Sequence, residues 1–112
     1  ACLFCRIVDK TIPANICYED EQVLAFEDVN PQAPTHTLVI PKRHVVSLAK
    51  TEFGDAQLLG SLLAICAKIA EQKRLAPSGY RVVVNTGADG GQTVTHLHLH
   101  ILGGRPMSWP PG

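Results

Sequence analysis

Three of the five histidines in this chain fall within five residues, at His96, His98 and His100, and they alternate with leucine. Successive side chains of a β-strand point to opposite faces, so this spacing predicts three imidazoles on one face and the leucines on the other. A buried imidazole needs a partner for each of its two ring nitrogens. Three of them on one face therefore predict a site for an anion, a metal ion or both, rather than three separate core histidines.

A glycine-rich segment, residues 87–91, leads into the histidine run, with Asn85 before it and Gln92 and Thr93 after it. Glycine lets backbone N–H groups approach an oxyanion closely, and amide and hydroxyl side chains add neutral donors. The segment lacks the lysine of a Walker loop and the spacing of the dinucleotide fingerprint. A hairpin would use the same glycines, but beside the histidines they predict a phosphate-binding loop.

The four cysteines fall into two groups. Cys17 and Cys66 lie in apolar segments and are expected to be small core residues. Cys2 and Cys5 form a Cys-x-x-Cys pair, which can be redox-active, disulfide-bonded or metal-binding. Because the sequence shows no secretory signal, a structural disulfide is the least expected of the three.

Length and charge restrict the function classes. The 112 residues suffice for one domain, residues 1–112, with a single core. Ten basic side chains balance ten acidic ones, so no overall charge favours nucleic acid or an anionic membrane as a partner. No apolar run approaches the ~20 residues that span a bilayer, and no signal peptide is evident, so a cytoplasmic protein is expected.

Apolar periodicity predicts one long helix among short elements. The short elements expected are a helix over residues 4–9, strands over 16–19, 23–27, 36–40 and 80–85, a helical turn within 44–49, and a last strand through the histidine run. The long helix is expected over about residues 55–74, with Asp55 as its N-cap. Strands, a helix and strands again favour an α+β domain with a mostly antiparallel sheet.

The long helix carries an apolar stripe that is wider than one contact with a sheet needs. Two interpretations fit the stripe equally well. The helix is either buried deeply in its own domain, or it covers the sheet on one side and a second subunit on the other.

The chain resembles the histidine triad (HIT) superfamily over nearly its whole length. Residues 96–102 match the alternating signature of that superfamily, and further matches lie at residues 26–31, 34–36, 40–44, Asn85 and 90–93. The tail, residues 102–112, is similar to the tail of the Hint branch, whose members are purine nucleoside phosphoramidase-like. The Cys-x-x-Cys pair is similar to that of bacterial members and is absent from the animal Hint proteins.

The resemblance implies a five-stranded antiparallel sheet with one long helix and short helices, and a homodimer in which the sheet continues between subunits. It implies an AMP-type purine nucleotide as ligand and a hydrolase or nucleotidyl transferase acting at the α-phosphate, foremost an adenosine 5'-monophosphoramidase. The catalytic triad would be His96, His98 and His100, with His98 as the nucleophile that forms a nucleotidyl-histidine intermediate. A neutral imidazole suits this role near pH 7 without a separate base.

The resemblance also implies binding roles for individual residues. The phosphate would be bound by Asn85, Gly91, Gln92, Thr93, His98 and His100. Thr93 stands where many Hint-branch proteins carry serine, which keeps the hydroxyl donor and adds a methyl group. Asp28 would hold the ribose hydroxyls, and the base would lie against Leu3, Phe4, Phe26 and Val29. Trp109 would line the leaving-group pocket, because the tail of Hint-like dimers lies near the partner's active site.

In the bacterial members, two cysteines and two histidines bind zinc. The corresponding residues here are Cys2, Cys5, His44 and His96. Two thiolates and two imidazoles would form a closed tetrahedral structural zinc site. No catalytic metal and no nucleic acid partner are implied.

Three alternative functions remain open from the sequence. One is a dinucleoside polyphosphate hydrolase of the same fold, and another is a metal-dependent hydrolase that uses the triad itself as ligands. The third is a nucleotide-binding protein without catalysis. The sequence names neither the physiological leaving group nor a preference between adenine and guanine.

Overall fold

The structure, a computed structural model, describes residues 2–112. Three helices lie in that range: α1 (Leu3–Val8), α2 (Ala56–Gln72) and α3 (Gly87–Gly90). The strands are β1 (Ile16–Glu19), β2 (Val23–Glu27), β3 (Thr35–Pro41), β4 (Tyr80–Val83) and β5 (Leu99–Gly103). Two 3-10 turns, Leu48–Lys50 and Phe53–Asp55, precede α2.

The five strands form one antiparallel sheet in the order β1-β2-β3-β5-β4. The predicted α+β architecture, a five-stranded antiparallel sheet with one long helix and short helices, is therefore confirmed. Strands β2 and β3 are buried along nearly their whole length, because each has a neighbouring strand on both sides and apolar clusters on both faces. The edge strands β1 and β4 are half exposed.

The two faces of the sheet carry different halves of the histidine run. Leu97, Leu99 and Ile101 pack in the larger apolar cluster together with α2. On the opposite face, Phe4 of α1 lies edge-on to the rings of His96 and His98, with centroids 5.9 and 5.2 Å away. The alternating residues of the sequence thus lie on two sides of the sheet, with the apolar ones in the core and the histidines on the side of the candidate site.

The last strand is shorter than predicted, since β5 begins at Leu99 and leaves His96 and His98 outside the ladder. Val39 pairs with Leu99, so a longer ladder would place Leu97 opposite Pro41. Proline has no N–H to donate, and pairing stops there. The backbone N–H of Leu97 instead donates to the carbonyl of Val45, at 2.6 Å.

Other local predictions need correction. The glycine-rich segment is not an open loop but the one-turn helix α3, and Cys17 is exposed whereas Cys66 is buried as expected. Asp55 does precede α2, yet its side chain makes no capping hydrogen bond to that helix. Its carboxylate instead accepts from the backbone N–H of Glu52 at 2.9 Å and from Arg43 at 2.7 Å.

Helix α2 packs one face against β3 and β5 and leaves apolar side chains on the other. Leu62 and Ile69 are fully buried, whereas Leu63 is 54% exposed. The expectation that no apolar run approaches a membrane span is wrong by length and composition, because the 20 residues Phe53–Gln72 pass that test. The core helix of a soluble protein passes the same test; here 22% of the tested window is buried, and the buried side chains lie on the face of α2 that packs on the sheet.

Candidate active site and metal cluster

A cavity of about 400 Å³ lies between α1 and the histidine run. Its walls are mainly apolar with a few polar groups, which is the usual composition of a small-molecule site. The predicted site residues that line it are Leu3, Phe4, Phe26, Asp28, Val29, Thr93, His98 and His100. Val29 lies at the rim, since 98% of its surface is exposed. The lining residues that sequence analysis missed are Ile7, Ile12, Pro13, Ala14, Glu27, Leu38 and Val94.

The imidazole of His98 is held by the backbone of the histidine run. Its Nδ1 lies 2.7 Å from the carbonyl oxygen of His96, and a carbonyl can only accept, so Nδ1 carries the proton. The neutral ring therefore keeps its lone pair on Nε2. Phe4 packs against this ring nearly at a right angle, at 89° between planes. The side chain is 6% exposed and lines the cavity, so it is oriented as a nucleophile would be.

His36, a histidine outside the triad, determines which ring nitrogen of His100 carries the proton. The backbone N–H of Gln32 donates to Nδ1 of His36 at 3.0 Å, so the proton of a neutral His36 ring is on Nε2. That Nε2 donates to Nδ1 of His100 at 2.8 Å. The proton of His100 is then on its own Nε2, which is buried and has no hydrogen-bond partner within residues 2–112. An unpaired buried donor is costly, so it marks a position prepared for an acceptor on a ligand.

Burial keeps both of these rings neutral. Desolvation, with smaller contributions from His98 and His36, lowers the pKa of His100 to about 4. Desolvation also lowers the pKa of His36, although the carboxylate of Asp28, 3.5 Å away, acts in the opposite direction. At neutral pH, His100 is therefore a neutral hydrogen-bond donor rather than a cation. Apart from its place in a matched motif, His36 carried no sequence signal of a functional role.

Four side chains from three parts of the chain form a cluster that could hold a metal ion: Cys2, Cys5, His44 and His96. Their ligand atoms all lie within 4.8 Å of one another. Nε2 of His96 donates to the carbonyl of Pro41 at 2.8 Å, which leaves the lone pair of Nδ1 directed at the two sulfurs.

The spacing of the cluster fits zinc. The sulfur–nitrogen distances are 3.3 Å for Cys5–His44, 3.5 Å for Cys2–His96 and 3.6 Å for Cys5–His96. In tetrahedral coordination, bonds of about 2.3 Å to sulfur and about 2.05 Å to nitrogen separate the two ligands by about 3.6 Å. These four residues therefore fit a closed zinc site of two thiolates and two imidazoles with little rearrangement.

The three triad imidazoles do not converge on one point. His96 belongs to the cysteine cluster, and His100 belongs to a separate group with Asp28 and His36. His98 is turned by its hydrogen bond to the His96 carbonyl. This arrangement argues against a metal centre in which the triad alone supplies the ligands.

The donors of the glycine-rich segment are largely used within the segment itself. The N–H groups of Gly91 and Gln92 donate to carbonyls of α3, each at 3.0 Å. The amide of Gln92 accepts from Gly87 and donates to the carbonyls of Val46 and Val94. A phosphate-binding role for Gly91 and Gln92 therefore stays a prediction that would need these groups to rearrange.

Asn85 and Trp109 lie away from the histidine cavity of their own chain. Both line a second cavity of about 670 Å³ beside β4 and the tail, which shares no lining residue with the first. Trp109 is 82% exposed, and its ring lies 5.9 Å from the guanidinium of Arg81. Within one subunit, the structure does not bring these two residues to His98.

Comparison with known proteins identifies one family. The HIT domain family model matches residues 9–107. A 14 kDa zinc-binding protein of Zea mays is 52% identical over 112 residues, covering 98% of this chain and 87% of that protein. An uncharacterised HIT-like protein of Synechococcus elongatus is 53% identical over 110 residues, covering 98% of this chain and 96% of that protein. The crystal structure of a HIT family hydrolase from Legionella pneumophila has a TM-score of 0.98, 48% identity and full coverage of both chains.

Proposed function

Because this chain belongs to the HIT domain family, whose solved neighbours include hydrolases, we propose that it is a nucleoside phosphoramidate hydrolase, specifically an adenosine 5'-monophosphoramidase. One observation carries the proposal. Two imidazoles with opposite hydrogen-bonding capacity at Nε2, an acceptor in His98 because its proton is held on Nδ1 and a donor in His100, line the same cavity of about 400 Å³. Displacement at phosphorus needs a nucleophile and a donor in this relation.

The proposed reaction has two displacements at the α-phosphorus. In the first, the lone pair of His98 Nε2 forms a bond to phosphorus, the bond from phosphorus to the amine nitrogen breaks, and this nitrogen takes a proton from solvent water as the amine leaves. In the second, water attacks phosphorus and returns a proton to solvent, the bond to Nε2 breaks, and the nucleoside monophosphate leaves. The nucleotidyl-imidazole between the steps is positively charged, and the His96 carbonyl at 2.7 Å stabilises its Nδ1–H.

His100 has the complementary role in this proposal. Its Nε2–H donates to a non-bridging oxygen of the phosphate, where negative charge develops. Gln32 and His36 together keep that proton on Nε2, so the donor is prepared before substrate binds. Thr93, which lines the same cavity, adds a hydroxyl donor. Gly91 and Gln92 are further phosphate-binding residues of the proposal once their present hydrogen bonds rearrange. Asn85, which lines the cavity beside the tail, is proposed on the leaving-group side of the phosphate with Trp109.

The nucleoside is proposed to occupy the rest of the cavity. Asp28 accepts hydrogen bonds from the ribose hydroxyls through its carboxylate, one oxygen of which already accepts from the N–H of Asn30 at 2.8 Å. Leu3, Phe4 and Phe26 form the wall for the base, with Val29 at the rim. An apolar wall recognises a purine by its shape and stacking rather than by its exocyclic groups.

We also propose that Cys2, Cys5, His44 and His96 hold a structural zinc ion, for which the fitting sulfur–nitrogen spacing and the zinc-binding relative from Zea mays are the support. When bound, such an ion supplies folding free energy and a fixed position for its ligands. It takes no part in the displacements at phosphorus.

A panel of substrates tests the proposed activity. We expect kcat/KM for adenosine 5'-phosphoramidate and for an alkylamine-linked AMP to exceed that for diadenosine polyphosphates by at least about tenfold, because the site provides a donor for only one phosphate group. A reversed preference would identify the protein as a dinucleoside polyphosphate hydrolase. Tight AMP binding with no turnover of either class would identify a nucleotide-binding protein without catalysis.

The active form is proposed to be a homodimer. The outer edge of β4 has no partner strand within residues 2–112, and both α2 and the tail carry exposed apolar side chains, Leu63 and Trp109 among them. An unprotected sheet edge of this kind favours pairing with a second copy. The tail of one subunit would then place Trp109 at the leaving-group side of the partner's cavity.

Light scattering checks the oligomeric state. A dimer has twice the chain mass of 12.1 kDa, and we expect this mass at micromolar concentration. Val83→Lys in β4, at a half-buried side chain outside both apolar core clusters, should lower the mass to that of one chain, whereas Ala76→Lys, at an exposed position after α2, serves as the control. A wild-type mass of 12.1 kDa would contradict the dimer.

A further inference from the structure

Helix α1 belongs to the metal cluster and to the nucleotide cavity at the same time. Cys2 caps the helix, since its Sγ accepts from the N–H of Cys5, and both sulfurs belong to the cluster. Between the two cysteines in sequence, Phe4 is 5% exposed and forms part of the cavity wall. Its ring contacts Phe26 at 5.4 Å and His98 at 5.2 Å between centroids. The helix therefore ties the position of a cavity wall to the position of two metal ligands.

Few other interactions hold α1 in place. The backbone hydrogen bonds recorded for residues 2–12 are all made within that segment. The helix has six residues, and isolated helices of this length are not stable in water. Apart from the packing of Phe4, Ile7 and Val8 and an exposed ion pair between Lys10 and Glu19 just after the helix, the contacts between the cysteine sulfurs and the imidazoles of His44 and His96 are what join it to the rest of the fold.

His96 provides a second connection. Its Nδ1 faces the sulfurs, its Nε2 donates to Pro41, and its carbonyl accepts from Nδ1 of His98 at 2.7 Å. A ligand that fixes the His96 ring thereby fixes the backbone group that orients His98. The cluster thus contacts the cavity by two separate routes, one through Phe4 and one through His98.

We propose that occupancy of the Cys2–Cys5–His44–His96 cluster by a zinc-type cation controls nucleotide affinity, so that the protein binds a nucleotide tightly only when the cluster is filled. The proposal rests on the proposed function insofar as the cavity takes a nucleotide. Coupling between two sites is reciprocal, so the nucleotide must also tighten the metal by the same factor. The cluster is then a regulatory site as well as a structural one.

Calorimetry with AMP on the full chain, zinc-loaded and after chelation, provides the first test. We expect the AMP Kd to rise by a factor between about 5 and 150 on zinc removal, the usual range for coupled sites. The variant Cys5→Ser should behave as the chelated protein. The matched control Cys17→Ser removes an exposed thiol outside the cluster and should retain the wild-type Kd. Equal Kd values for zinc-loaded and folded zinc-free protein would overturn the proposal.

Two further measurements of the coupling use metal-loaded protein only and so do not require the zinc-free protein to stay folded. In cobalt-loaded protein, AMP should shift the d–d absorption bands, because the nucleotide contacts His98 and so perturbs His96. In zinc-loaded protein, AMP should slow amide hydrogen exchange in residues 3–8 more than in the α2 core. Unchanged bands together with unchanged exchange at saturating AMP would count against the coupling.

Failure of the proposed function is distinguishable from failure of the coupling. If zinc-loaded protein binds no AMP, the proposed nucleotide function is wrong. The physical connection from the cluster to the cavity walls, as distinct from control of AMP affinity, is then decided by metal removal alone: loss of the His98 Nδ1–H···O bond in ¹⁵N spectra and faster exchange in α1 support it. An unaltered His98 signal and an equally protected α1 overturn it.

Discussion

Replacement of His98 by asparagine should lower kcat/KM for adenosine 5'-phosphoramidate by at least about three orders of magnitude, because the covalent path loses its nucleophile. The asparagine amide can still donate to the His96 carbonyl that now holds Nδ1 at 2.7 Å, so the local backbone should keep its conformation. Steady-state and single-turnover rates measure the loss. AMP binding by calorimetry and the melting temperature, both close to wild type, establish that the variant remains folded and binds its ligand.

A residual rate above roughly a tenth of the wild-type rate would assign the nucleophile elsewhere. His100→Gln provides the comparison within the same cavity. The side-chain amide of this variant retains an N–H donor. It lacks the rigid ring in which an acceptor faces His36 Nε2 and the donor faces the cavity, so an intermediate loss of activity is expected. The assignment of nucleophile and donor would be reversed by a different pair of results. In that case, His98→Asn would still release the amine in a single turnover, and His100→Gln would not.

The second large effect concerns zinc and stability. Protein prepared without chelators should contain close to one zinc per chain, and the double variant Cys2→Ser, Cys5→Ser should contain none. Because metal binding to the native state is folding free energy, we expect this variant to lose at least about 3 kcal/mol of unfolding free energy. That loss corresponds to a fall in melting temperature of more than about 10 °C for a chain of this size.

Elemental analysis and calorimetric melting measure these quantities. Cys17→Ser is the matched control and should keep both the zinc and the melting temperature, because its thiol is exposed and outside the cluster. Zinc-free wild-type protein with the same melting temperature as the zinc-loaded form would show that the four residues are not a structural site.

The roles of the histidines illustrate how far sequence reasoning extends. Alternation predicted that the imidazoles of the triad share one face, and Phe4 indeed contacts two of them there. Alternation does not, however, distinguish the roles of the three histidines. Their differences come from single backbone groups: the Pro41 carbonyl for His96, the His96 carbonyl for His98 and, through His36, the Gln32 N–H for His100. The partners of His96 and His100 lie 55 and 64 residues away in sequence, so no local pattern encodes them. The partner of His98 is only two residues away, but alternation alone does not distinguish its contact from those of the other two.

The cavity and the fold were predictable to different degrees. The strands and the long helix follow apolar periodicity, which is a local property, and their placement was close. The apolar wall of the cavity combines segments that are distant in sequence, so Ile12, Ala14 and Leu38 carried no signal as binding residues. The phosphate-binding role of Gln92 stays a prediction, because its amide is hydrogen-bonded to Gly87 and to the carbonyls of Val46 and Val94. Polar side chains near a site are therefore poor indicators of function until their hydrogen-bond partners are known.

If His98 Nε2 forms a covalent bond to phosphorus, intact-protein mass spectrometry of a rapidly quenched single turnover should detect the adduct. With adenosine 5'-phosphoramidate, we expect a transient mass increase of one adenylyl group, located on His98 by peptide mapping. The adduct should be labile in acid and stable in base, as a phosphorus–nitrogen bond requires, and absent from His98→Asn. Full turnover with no adduct at any quench time, or an adduct on another residue, would contradict the account.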